Sequence, residues 1–198
     1  PVCSSAASDV YKRQSIERPI VFGNNDTPGI FLSAAAKEYI KVYGVLVGKK
    51  PLIFTNNDSA YETALEFKKQ GVHPIILDTR EEHSSELIET AKSNNIQIKF
   101  SYAVIAANGY KKVKSALVGK LNRDKTDFKN SETIECDCIC VSGFWTPTVH
   151  LASQSGNKLK FNDQIDAFVP YKSKQNETSV GASKGTFTLK ETLNDGFK

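Results

Sequence analysis

The stretch from Lys50 to Arg80 constrains this chain more than any other, because it reads as strand, turn, helix and strand at the spacing of a nucleotide-binding βαβ unit. Lys50-Pro51-Leu52-Ile53-Phe54 reads as a buried strand, Ala60 to Gln70 as a helix, and His73 to Asp78 as a second strand. The turn between them is Thr55-Asn56-Asn57-Asp58-Ser59. A dinucleotide loop carries Gly-x-Gly-x-x-Gly there, so that the backbone turns tightly, approaches a pyrophosphate and presents helix N-terminal amides to it. This chain has Thr55, Asn57 and Ala60 at those positions, and the lost glycines argue for little or no dinucleotide affinity. The turn itself can survive, because Asn tolerates a left-handed backbone and Asp58 and Ser59 are good helix N-caps. Asp78 stands about 20 residues beyond the loop, where an acid would hold a ribose, but Asp78-Thr79-Arg80 also caps a strand end, and that structural role is favoured.

Upstream, Ile16 to Phe22 leads through a polar loop, Gly23 to Pro28, into a helix expected from about Gly29 to Tyr43, and Gly44 and Gly48 bracket a connector. Downstream, Glu82 to Asn94 is amphipathic, with Leu87, Ile88 and Ala91 on one face, and Ile96 to Phe100 follows as a third strand in βαβαβ order. Ser101 to Ala107 and Lys111 to Leu121 alternate around Asn108-Gly109, a hairpin signal. Arg123 to Glu132 reads as a polar loop tip and Ile134 to Ser142 as one apolar strand. That strand leads into Gly143-Phe144-Trp145-Thr146-Pro147, which either faces a cofactor at the end of a parallel sheet or simply buries the tryptophan. Tyr171 to Thr178 reads as a linker, and Ser179 to Gly185 as a strand end and glycine turn before a helix that starts near Thr186.

Composition excludes several classes. The chain has 26 basic and 22 acidic residues and no basic block like a nucleic-acid arm. Lys111, Lys112, Lys114 and Lys120 alternate with Val113, Ala116 and Val118, as the solvent face of a β-hairpin does. No apolar run approaches the ~20 residues of a membrane helix, and no secretory signal opens the chain. Cys136, Cys138 and Cys140 alternate, which puts all of them on one strand face; the spacing suits buried packing, not zinc, and free buried thiols point to the cytoplasm. The histidines His73, His83 and His150 form no Ser-His-Asp or Cys-His constellation, so no catalytic side chain and no metal ligand is assigned. With no methionine, position 1 included, the chain is expected to be a piece of a longer reading frame, and residues 1–14, which include Cys3, are expected to be a non-native tail.

Several motifs in order carry a more specific reading. These are Ile16-Glu17-Arg18-Pro19; Asn24-Asn25-Asp26-Thr27-Pro28-Gly29; Phe54-Thr55-Asn56-Asn57-Asp58-Ser59-Ala60-Tyr61; and Val141-Ser142-Gly143-Phe144-Trp145-Thr146-Pro147-Thr148-Val149-His150-Leu151, followed by Gln154-Ser155-Gly156. Together they resemble the alpha subunit of heterotetrameric sarcosine oxidase, from Ile16 to Lys198, in the middle of such a subunit. The resemblance implies an α/β fold of two dinucleotide-binding domains of the disulfide reductase type, one inserted into the other. The inserted Rossmann-like domain would be 49–160, and 15–48 with 161–198 would belong to the interrupted outer domain, whose glycine fingerprint lies upstream. In that family the outer domain holds NAD, which implies Gly181, Ala182, Phe187 and Leu189 as contact residues, with Asn56 and Asn57 at the inserted domain's turn. Related flavoproteins carry Gly-Asp where this chain has Gly181-Ala182, which argues against FAD in the outer domain. The flavins FAD and FMN are implied in or against a beta subunit, with gamma and delta subunits completing the complex.

The function this implies is NAD holding and scaffolding within an enzyme that oxidatively demethylates sarcosine with oxygen, the piece alone being inactive. A cofactor can carry the redox chemistry while protein supplies position, so absent acid and base residues do not exclude an oxidoreductase. An FAD/NAD(P)-dependent oxidoreductase of another amine or opine, and a non-catalytic nucleotide-fold assembly module, are the alternatives. Apolar Ile20-Val21-Phe22 and Phe168-Val169 are expected to lie exposed in the isolated chain and to make it poorly soluble.

Overall fold

A computed structural model describes residues 15–197, so the expectation about residues 1–14 lies outside them. Its elements in chain order are β1 (Ser15–Glu17), β2 (Ile30–Leu32), α1 (Ser33–Tyr43), β3 (Pro51–Thr55), α2 (Ser59–Lys69), β4 (Ile75–Asp78), α3 (Glu86–Ser93), β5 (Gln97–Phe100), β6 (Tyr102–Asn108) and β7 (Ser115–Leu121). They continue with β8 (Phe128–Glu135), β9 (Cys138–Ser142), β10 (Trp145–Pro147), α4 (His150–Gln154), β11 (Lys158–Asn162), β12 (Ala167–Lys172), a 3₁₀ turn (Gly181–Lys184) and α5 (Leu189–Gly196). Two compact units form: residues 18–144, and residues 15–17 with 145 onward.

The first unit is organised by a five-stranded sheet in the order β2-β9-β3-β4-β5, every pair parallel. All residues of β3 and β9 are buried, because both sheet faces are covered. The alternation of side chains then sorts the core. Leu52, Phe54, Leu77, Ile139 and Val141 point to one side, where they meet Ala103, Val104, Val113, Ala116 and Val118. Ile53, Ile76, Cys138 and Cys140 point to the other, against Ala36, Ile40, Tyr61, Ala64, Phe67 and Ile88 of the helices. Each fully buried aliphatic or aromatic side chain contributes about 1.5–3 kcal/mol. The antiparallel sheet β6-β7-β8 closes the first side, with the hairpin at Asn108-Gly109 as expected. Lys111, Lys112, Lys114 and Lys120 are exposed while Val113, Ala116 and Val118 are buried.

Four local readings are corrected. Residues 30–32 pair with Ile139–Val141 as a strand, so the helix begins at Ser33; this buried serine donates to Thr63 Oγ1 at 2.8 Å. The helix expected from Glu82 begins at Glu86, where Ser85 Oγ accepts from Ile88 N. The expected loop tip contains most of β8, an exposed edge strand whose polar residues give no apolar alternation. The single apolar strand over Ile134 to Ser142 is two strands in different sheets, broken at Cys136-Asp137. Cys136 therefore packs in one core cluster and Cys138 and Cys140 in the other, not on one face.

The segment 18–48 packs within the first unit, through β2 beside β9 and α1 beside α2. In the second unit β1 pairs with β10, and β11 with β12, both antiparallel. Sequence gave no sign of this last hairpin, and Tyr171 and Lys172 lie in it instead of in a linker. Val21 is 83% and Phe168 54% exposed, but Phe22 is buried in the core.

The break at Asp137 ties the sheet together. Its carboxylate accepts from Lys49 N at 2.8 Å and Lys50 N at 2.7 Å, where the chain enters β3, and Asp137 N donates to Lys50 O. Asp137→Ala is expected to lower stability by about 1–3 kcal/mol, because backbone amides lose a charged acceptor. Urea denaturation would register this as a lower midpoint at unchanged slope.

Candidate functional site

Strand order reverses between β3 and β9, since β3 is followed by β4 and β5 on one side while β9 returns on the other; such a switch point is where open α/β sheets bind ligands. At its carboxyl edge Asp78, Thr55 and Ser142 sit side by side in register, and all are fully buried. Three polar residues ending otherwise apolar strands must find partners inside the protein.

The turn supplies them. Thr55 Oγ1 accepts from Asn57 N at 3.0 Å and donates to Asn57 O at 2.9 Å. Asn57, 3% exposed, donates through Nδ2 to Ser142 O at 3.2 Å and Ser142 Oγ at 3.0 Å. Its Oδ1 accepts from Ser59 N at 3.1 Å and Ser59 Oγ at 2.6 Å, so Asn57, not Asp58, caps the start of α2. Asn56 is exposed; its N donates to Ser142 O at 3.3 Å. Neither asparagine adopts the left-handed backbone that the missing glycines would have used. The amides of Asn56, Asn57, Ser59 and Tyr61, donors of the kind a phosphate would need, are all engaged within the protein.

A charged cluster seals the neighbouring strand end. Arg80 Nε and N each donate to Asp78 Oδ1 at 3.0 Å, and its Nη2 reaches Asp78 Oδ2 at 2.7 Å and Asp58 Oδ1 at 2.6 Å. Tyr61 Oη donates to Asp78 Oδ2 at 2.8 Å, and burial followed by the Asp78 charge pushes its hydroxyl well above the usual range. Asp78 is thus committed to the fold, as favoured from sequence. Burial alone would raise the Asp58 carboxyl, but hydrogen bonds from Arg80 and Ser85, the Arg80 charge and His83 hold it below the usual carboxylate range. His83 Nε2 lies 3.5 Å from Asp58 Oδ1, without hydrogen-bond geometry. Sequence reading placed Arg80 with Asp78 at the strand end but missed Tyr61 and Ser142 as members of this cluster; for Ser142 the available signal was a polar residue closing an apolar strand.

Gly181, Ala182, Phe187 and Leu189 belong to the second unit, and Asn56 and Asn57 to the first. Gly181 is buried at φ +65° and opens the 3₁₀ turn, which Gly185, at φ +96°, ends. A side chain on Gly185 would stand 2.9 Å from Ile165 Cδ1. Ala182 and Phe187 are half-buried and Leu189 is 75% exposed. Thr188 Oγ1 accepts from Glu191 N, so α5 carries a carboxylate in its own first turn. The exposed groups here are mixed: Leu189 is apolar, and Lys184, Thr188 and Lys190 beside it are polar or charged.

The remaining reactive groups are placed without catalytic geometry. His73 Nδ1 lies 2.9 Å from Lys68 Nζ, and His150 opens α4. Gly143 is packed where a Cβ would come within 2.9 Å of Pro19 O, and Trp145 is half-buried in β10. Burial, then the neighbouring Cys138 and Asp137, push the Cys136 thiol up to about 12, so it stays a thiol at neutral pH. Among the described residues no cluster of three or more His, Cys, Asp or Glu could hold a metal, and no helix is long and apolar enough to cross a membrane.

The chain is 34% identical, over 91% of its length, to a sarcosine oxidase subunit alpha from Corynebacterium sp. strain P-1, and 30% identical over 91% to one from Rhizobium meliloti strain 1021. It spans 19% and 17% of those relatives' lengths, so the resemblance read from its motifs holds for a portion of such subunits. No family model matches. Among solved structures, thioredoxin reductase from T. acidophilum superimposes with a TM-score of 0.71 at 15% identity, covering 92% of this chain and 60% of that one. L-proline dehydrogenase from P. horikoshii gives a TM-score of 0.58 at 18% identity, covering 85% of this chain and 28% of that one. The fold is the two-dinucleotide-binding type of the disulfide reductases.

Removing the Asn57 side chain would remove its hydrogen bonds to Ser142 and Ser59, so Asn57→Ala is expected to cost roughly 1–3 kcal/mol, measured by urea denaturation. Because the Asp58 pKa is lowered on folding, its contribution is fully present above the ordinary carboxylate value near pH 4 and is lost as pH falls through the folded value. Asp58→Asn should flatten the acid limb of a stability-against-pH curve, and an unchanged acid limb would contradict this assignment.

Proposed function

We propose that this chain is the central nucleotide-fold portion of a sarcosine oxidase alpha subunit, part of an oxidoreductase that demethylates sarcosine oxidatively with oxygen as acceptor. The observation that carries this reading is identity of 34% sustained over 91% of the chain, with motifs in order. In this reading 15–48 and 161–198 descend from the outer dinucleotide-binding domain and 49–160 from the inserted one, although 18–48 packs with the inserted sheet. The complex would work in the cytoplasm, with beta, gamma and delta subunits as partners and flavins, FAD and FMN, in or against beta.

The residues present divide the labour. At the turn of Asn56 and Asn57 the amides of Asn56, Asn57 and Ser59 are already engaged, which fits scaffolding better than pyrophosphate binding. Gly181, Ala182, Phe187 and Leu189 fit NAD: the left-handed glycine keeps the turn free of a side chain, and the apolar groups offer a ring face. The alanine offers no carboxylate to a flavin's ribityl chain, which favours NAD over FAD at this turn. A nicotinamide carries hydride chemistry itself, and the protein's part is to hold and orient it.

The test uses the full-length subunit co-expressed with its partners. Gly181→Val forces a β-branched residue to φ +65°, at a cost of about 1–2 kcal/mol, and is expected to lower heat-released NAD per complex roughly tenfold. Unchanged NAD with lost assembly would favour a non-catalytic assembly module. Wild-type complex without sarcosine-dependent oxygen uptake, but with NADH-driven flavin reduction, would favour an oxidoreductase of another amine or opine.

A further inference from the structure

We draw no further inference here: the strongest candidate, the exposed apolar face that Tyr39, Val42, Tyr43, Val45 and Leu46 form on the last turns of α1 and the loop after it, carries no proposal because nothing in the structure shows what covers it.

Discussion

A parallel sheet buried on both faces is the constraint from which the rest of this structure follows. With β3 and β9 wholly enclosed, each residue along them must be apolar or internally satisfied, whichever way it points. One face is closed by helices and the other by a second, antiparallel sheet. The chain must therefore leave the parallel sheet after β5, build three antiparallel strands and return as β9 between β2 and β3. That return places Asp137 against the start of β3, and makes the switch point between β3 and β9.

Polar residues are tolerated in such strands only at their ends, and here they collect at the carboxyl edge as Asp78, Thr55 and Ser142. In a dinucleotide site, this edge is where backbone amides remain open for a phosphate. In this chain the side chains of Thr55 and Asn57 take those amides, and the Asp58 carboxylate sits beside α2 with Arg80 as its counter-ion. The geometry that would have recognised an external anion has been turned inward, into a network that holds the strand ends together.

Much of the fold was legible in the sequence, for reasons particular residues make plain. Leu52-Ile53-Phe54 and Ile75-Ile76-Leu77 are continuous apolar runs that only a doubly covered strand requires, and the Asn108-Gly109 hairpin announces itself through turn chemistry. The failures also have physical causes. β8 is an edge strand with a solvent-facing polar surface, so its backbone pairing leaves no mark on hydropathy. Ile134 to Ser142 reads as one strand because both of its halves are apolar; no local signal says that the chain changes sheets at Cys136. Asp58 and Ser59 both looked like caps, whereas the cap is Asn57, chosen by its distance to Ser142 across the sheet.

The sequence by itself determined the βαβαβ order, the replacement of the phosphate-loop glycines and the likeness to sarcosine oxidase alpha subunits, because these depend on residue type and spacing along the chain. Tertiary structure alone decided that Ile30–Leu32 join the parallel sheet, that the cysteines split between two cores, and that Arg80 bridges Asp58 and Asp78. These are contacts between residues far apart in sequence. Their energies come from burial and from hydrogen bonds that exist only once the sheet has brought its strand ends side by side.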